Sequence, residues 1–156
     1  MLFEQISTTV IDDEALPWVP FTPHADGVFV KYFKLDPIRG EVILLMKMQA
    51  GAELPRHRHS GSLIVYTITG RWKCKEQDWI AGPGSIVFET AATSHTPKAL
   101  ASAGEVLTLH IVAGDQVFLD GEGQVVATEN WRTAMARYLA YCEAALVTPR
   151  DLTAFN

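Results

Sequence analysis

Two cysteines, Cys74 and Cys142, are all that the 156 residues contain. They form no C-x-x-C pair, so neither a disulfide framework nor a thiolate zinc site is readable from them, and they are expected to be reduced, buried thiols. Basic residues are also in the minority: 13 Lys and Arg against 18 Asp and Glu, for a net charge of −5 with no cationic cluster. That balance argues against a dedicated nucleic-acid surface. No apolar run approaches the length of a membrane span. The opening Met1-Leu2-Phe3-Glu4-Gln5 lacks both a basic segment and a long apolar core, so no signal peptide is expected and the reading is cytoplasmic. Internal repeats, low-complexity tracts, a glycine-rich phosphate loop, a nucleophile elbow and a serine or cysteine triad are all missing. With 48% hydrophobic and 20% charged residues, the composition is that of a globular chain, expected to form one domain over residues 1–156.

What is present is a succession of short strand-like runs broken by turn residues. Val28–Leu35 follows a turn at Asp26-Gly27, and Asp36–Gly40 turns the chain into Val42–Met48. Ser62–Thr69 is the strongest strand, and Gly70 connects it to Trp72–Lys75. Asp78–Ala81 precedes the breaker Gly82-Pro83-Gly84, after which come Ser85–Glu89 and Val106–Val112. A further hairpin is expected from Val117–Leu119 and Gln124–Val126. The period then changes: Trp131, Met135, Tyr138, Leu139, Cys142 and Leu146 recur at helical spacing, with Thr128 or Asn130 as a cap and Pro149 beyond the end. The pattern predicts an all-β, mostly antiparallel barrel, core about 28–127, with a C-terminal α-helix about 129–146. The helix carries one apolar stripe that must cover either the barrel or a second subunit, and a homo-oligomer is expected on that ground.

Within this pattern His57 and His59 stand one residue apart, and side chains alternate faces along a strand. An H-x-H pair on a strand is a two-point chelate for a divalent metal. A third histidine from a neighbouring strand, His95, would complete one face of a coordination sphere and leave the other open to ligands, as catalytic rather than structural sites do. Arg56 and Arg58 flank the pair, and two surface histidines in a basic loop would look the same in sequence.

Strands and histidines together resemble the cupin family, whose fold is a double-stranded β-helix or jelly-roll barrel. In the first cupin motif a glycine, an H-x-H pair, a glutamate and a closing glycine follow at set spacing. Here Gly51, His57, His59 and Gly70 are in register, and Leu63 occupies the glutamate position. Gly84 matches the opening glycine of the second motif and His95 its histidine, while Thr90 and Ala92 replace its usual proline and glycine. The resemblance covers about residues 28–112. Three histidines with no glutamate are a feature of a small set of cupin dioxygenases, and the chain is similar to the acetylacetone-cleaving enzymes and, more closely, to the 2,4'-dihydroxyacetophenone dioxygenases. The latter likeness includes the aromatic segment Leu16–Phe21 and the helix after Trp131. It implies non-haem iron(II) on His57, His59 and His95, with dioxygen and an aryl hydroxy ketone as reactants. The implied reaction is carbon–carbon cleavage to an aromatic acid and formate. With leucine at position 63, three neutral imidazoles would leave the metal its full charge and favour an anionic bidentate substrate.

Glu89 ends the strand before His95 and is the candidate catalytic base, either directly or through water; a solvent-facing strand-end glutamate is the plainer alternative. His110, mid-strand among apolar residues, reads as a hydrogen-bonded core histidine that could also face the cavity, and His24 as a loop residue. Trp18, Phe21, Trp72 and Trp79 could line an aromatic pocket, although large aromatics serve cores first. Imidazole suits iron, zinc, copper and nickel alike, so a metal-holding module that binds or senses a small ligand without turnover is the second reading, and a β-diketone-cleaving dioxygenase a third.

Overall fold

The structure is a computed structural model that describes residues 8–154; the opening segment read above for export features lies outside the described residues. Among the described residues the chain runs through β1 (Val19–Pro20), β2 (Val28–Asp36), β3 (Glu41–Met48), β4 (His57–His59), β5 (Leu63–Thr69), β6 (Trp72–Cys74), β7 (Ile86–Glu89), β8 (Ser94–His95), β9 (Pro97–Ala99), β10 (Val106–Ala113), β11 (Gln116–Leu119), β12 (Val125–Glu129) and α1 (Trp131–Ala145). One sheet has the order β1-β2-β3-β10-β5-β7, a second β12-β11-β4-β8, and β6 pairs with β9 in a third. The pairings are antiparallel throughout.

Alternation decides which side chains turn inward. On β3, Val42, Leu44, Met46 and Met48 are buried while their neighbours are half-buried. On β5, Leu63, Val65 and Thr67 are buried and Ile64, Tyr66 and Ile68 are exposed. β10 lies between these two strands and closes the middle of the larger sheet. Gly70 makes the turn out of β5 at φ +79°, and a Cβ there would sit 2.4 Å from the Glu105 carbonyl oxygen, so only glycine fits.

Several expected elements differ in detail. Asp78–Ala81 is not a strand: only Ala81 pairs, exchanging both backbone hydrogen bonds with Trp72 at 2.8 and 3.0 Å. The Gly82-Pro83-Gly84 turn leaves that segment no length in which to continue a ladder. β8 and β9, two and three residues long, were not anticipated as separate strands, because runs so short carry no periodicity. α1 opens on Asn130, whose side chain accepts from the N–H groups of Arg132 and Thr133, while Thr133 answers with a bond from the Asn130 N–H, a reciprocal cap that fixes the start. Ala134, Tyr138 and Cys142 are buried, with contacts from the helix to β1, β2 and β12, while Leu139 and Leu146 of the expected stripe are exposed. The helix therefore covers its own barrel, and the ground given above for a homo-oligomer is removed. Exposed apolar side chains gather instead on the outer face of β5 and β7, at Ile64, Tyr66, Ile68, Ile86 and Phe88. Among the described residues no helix is long and apolar enough to cross a membrane.

Candidate metal centre

β4 contributes His57 and His59 from one face, each 2% exposed, with Arg58 outward between them. The basic-loop alternative is thereby set aside: the arginines face solvent and the imidazoles do not. His57 Nδ1 lies 2.9 Å from the Pro55 carbonyl oxygen. A carbonyl can only accept, so Nδ1 carries the proton and Nε2 keeps its lone pair for a ligand. The Phe118 ring on β11 meets the His57 ring edge-on at 5.6 Å and fixes its plane. His95, on β8, is the direct cross-strand partner of His57.

Glu89 is where the donor set converges. One ligand atom each from His57, His59 and Glu89 lie within 4.8 Å of one another, and the same holds for Cys74, Glu89 and His95. The Glu89 Oε2 atom is 3.5 Å from His59 Nε2 and 3.7 Å from His95 Nε2. His95 thus joins the group through Glu89. Leucine at position 63 removes the motif's own glutamate, and the carboxylate beside the imidazoles is that of Glu89. Leu63 faces Glu89 directly in the β5–β7 ladder, and Glu89 is 4% exposed, so it is no solvent-facing strand end.

His95 Nε2 lies 2.8 Å from Thr93 Oγ1, but four other polar atoms of this cluster lack partners of their own. Glu89 Oε2, both nitrogens of His59 and His95 Nδ1 are buried without a hydrogen bond, which is costly unless something else satisfies them. Burial pushes His57 down to about 4; burial and the neighbouring His57 push His59 down to about 3. Both are neutral at pH 7, the form that ligates metal. Burial also raises Glu89 to about 7, since no cationic side chain compensates its charge in the cluster. Neutral imidazoles around an unpaired carboxylate are a donor set that a divalent cation fits. Cys74, fully buried, donates to Glu89 Oε1 over 3.9 Å; burial, then Glu89, push its thiol up to about 12, so it stays protonated.

The cluster opens on a cavity of about 60 Å³, reached by residues of both larger sheets and of α1. Its wall is mainly apolar, with Leu44, Met46, Leu54 and Val65 among the contributors, and Phe21 and Trp72 supply the aromatic surface. Trp18 lies elsewhere, beneath the Lys31 and Lys47 ammonium groups at 4.8 and 4.4 Å, and Trp79 packs edge-on against Trp72. His110 does both things considered for it: it lines the cavity, and its Nε2 is 2.8 Å from Thr108 Oγ1. One polar group in the wall was not legible in the sequence. Glu129 holds His24 Nε2 at 2.8 Å and pairs with Arg137 through both carboxylate oxygens, while Arg137 Nη1 reaches Tyr32 Oη at 3.0 Å. His24 also stacks on Phe118 at 4.3 Å, so it is a packed residue on a loop. No motif marks this group because its members come from β2, β12, α1 and the loop before β2.

Comparison with known proteins gives a consistent picture. A family model described as the ChrR cupin-like domain matches residues 7–114. An RmlC-like cupin protein from Ralstonia eutropha JMP134 is 50% identical over 100% of both chains, with a TM-score of 0.96. An acetylacetone dioxygenase from Acinetobacter johnsonii shares the fold at 21% identity and a TM-score of 0.75, covering 86% of this chain and 91% of that one. The anti-sigma ChrR of Rhodobacter sphaeroides, solved in complex with SigE, shares it at 20% identity and a TM-score of 0.52, over 65% of this chain and 50% of that one. No curated protein matches at a significant level.

Proposed function

We propose that this chain, which belongs to the ChrR cupin-like domain family, is a metal-dependent dioxygenase acting on a small oxygenated compound. The observation that carries the reading is the set of partnerless buried donors from His59, His95 and Glu89, beside His57, at the wall of an apolar cavity. His57, His59 and His95 are assigned to hold the metal, with iron(II) as the ion. When bound, iron(II) would supply electrons to dioxygen and Lewis acidity toward the oxygens of the substrate. The substrate class proposed is an aryl α-hydroxy ketone. For 2,4'-dihydroxyacetophenone, one dioxygen breaks the bond between the carbonyl and hydroxymethyl carbons, giving 4-hydroxybenzoate and formate with one oxygen atom placed in each.

This chain's residues have definite tasks in that reaction. Phe21 and Trp72 provide the face on which an aromatic ring packs, and the apolar wall excludes bulk water from the reacting end. Glu89 is the acceptor for the proton leaving the substrate hydroxyl, because its Oε2 stands among the imidazoles and has no other partner. A second reading is a metal-holding sensor without turnover, and the match to the ChrR cupin-like model favours it. Oxygen uptake by the iron(II)-loaded protein separates the two. Consumption with 2,4'-dihydroxyacetophenone, and one labelled atom in each product, is the expected result. No uptake with any aryl hydroxy ketone or β-diketone moves the assignment to the sensor.

A further inference from the structure

The β5–β7 ladder pairs Leu63 with Glu89, Ile64 with Phe88, Val65 with Val87 and Tyr66 with Ile86. Directly opposed residues of an antiparallel pair project from the same face, with Cβ atoms about 5 Å apart. A side chain at 89 therefore reaches the same patch of the interior as a side chain at 63. Burial agrees with this: Leu63 and Glu89 are each 4% exposed, while Ile64 and Phe88 are exposed on the outer face. Position 63 is the one at which the first cupin motif carries its glutamate. The carboxylate is thus present at the site but comes from the neighbouring strand.

We propose that Glu89 is an anionic ligand of the metal, supplied from β7 in place of the side chain that Leu63 cannot provide on β5. The inference rests on the metal-centre reading above but not on the reaction assigned to it. Oε2 is the ligating atom: it is the oxygen at 3.5 and 3.7 Å from the His59 and His95 nitrogens, and it has no hydrogen bond. Oε1 is turned the other way, toward the Cys74 thiol, so Cys74 is a positioning residue that sets which oxygen faces the imidazoles. A carboxylate donor lowers the charge of the loaded site by one and tightens its hold on a divalent ion.

The test is metal titration of the chelator-stripped full chain with Co²⁺, followed by its visible spectrum and by competition with a chromophoric chelator. Loss of an outer partner of a ligand costs about 10- to 100-fold in affinity, so loss of a direct ligand is expected to exceed about 100-fold. Glu89→Gln, nearly isosteric, should weaken Co²⁺ by that much and change the spectrum, and Glu89→Leu should do the same. The double variant Leu63→Glu/Glu89→Leu moves the carboxylate back across the ladder and should recover affinity to within about tenfold of the wild type. Far-ultraviolet circular dichroism identifies the folded variants. Glu89→Gln binding Co²⁺ within threefold of wild type, or a folded double variant as weak as Glu89→Leu, overturns the proposal. If His59→Ala abolishes binding while Glu89→Gln does not, the ligand assignment fails and the metal centre stands. If binding depends on Glu89 but the iron(II) protein consumes no oxygen, the ligand assignment stands and the dioxygenase reading falls.

Discussion

His57 and His95 face each other across the β4–β8 ladder, so strand pairing brings the third histidine to the H-x-H pair. β8 is only Ser94 and His95, and the loop before it is held to β4 by the Ala92 N–H donating to the His59 carbonyl at 3.1 Å. The candidate metal centre draws its histidines from this short ladder, and side chains of β3, β5 and β10 wall the cavity beside it.

His57→Ala, His59→Ala and His95→Ala should each lower metal affinity by at least about 100-fold, since ligands count for more than the partners that orient them. The barrel should persist, because its core is built from Val30, Leu35, Val65 and Val106, all 2% exposed or less, and does not depend on metal as a zinc finger does. Metal content after gel filtration, with a thermal melt of the stripped protein, checks both halves. A His95→Ala protein that kept full metal would make His110 the next ligand to examine.

Ala92 occupies the position where the second cupin motif has glycine, and it adopts φ 71°. A left-handed conformation costs a non-glycine residue about 1–2 kcal/mol, while glycine gives back part of that gain through its freer unfolded chain. Ala92→Gly should raise stability by about 0.5 kcal/mol, read as a higher urea midpoint with an unchanged slope. A lower midpoint would contradict the left-handed assignment.

Metal-free protein should lose stability as the pH falls from about 6.5 toward 4.5. His57 is pushed down to about 4 and His59 and His110 to about 3, burial being the first cause in each. The unfolded chain takes up these three protons near 6.5 and the folded one does not, so stability present above 6.5 is lost below it. Glu89 acts oppositely: raised to about 7 by burial, it binds its proton in the folded state first and adds stability between 7 and its unfolded value of 4.5. Burial also lowers His95, so the imidazoles that resist protonation in the folded chain outnumber the single raised carboxylate and the net effect of acidification is destabilising. Urea midpoints at half-unit steps measure the slope, and a midpoint that rises on acidification would contradict it.

Arg137→Leu should be among the more damaging single changes. It would take from Glu129, 8% exposed, its one guanidinium partner among the described residues, leaving the contact to His24 Nε2 at 2.8 Å, and would remove the bond to Tyr32 Oη. Breaking one side of a buried pair costs about 3–5 kcal/mol. Changing both partners, Arg137→Leu with Glu129→Leu, should recover much of that loss in chemical denaturation, because the uncompensated charge is then gone.

The strand runs, the change to helical period after Glu129 and the pairing of His57 with His59 on one face were legible in the chain, because alternation and helical spacing are local properties that a few residues state completely. The family resemblance carried the spacing to His95. The short strands β8 and β9, the failure of Asp78–Ala81 to form a ladder and the packing of α1 on its own barrel were not legible, because each depends on what another part of the chain presents to it. The clearest case is Glu89. Position 63, read along the chain, says that the site lacks its carboxylate; the register of β5 against β7 puts one directly opposite. Sequence determines which face a side chain takes on its own strand, and only the hydrogen-bonded register between strands decides which side chains from distant positions share that face.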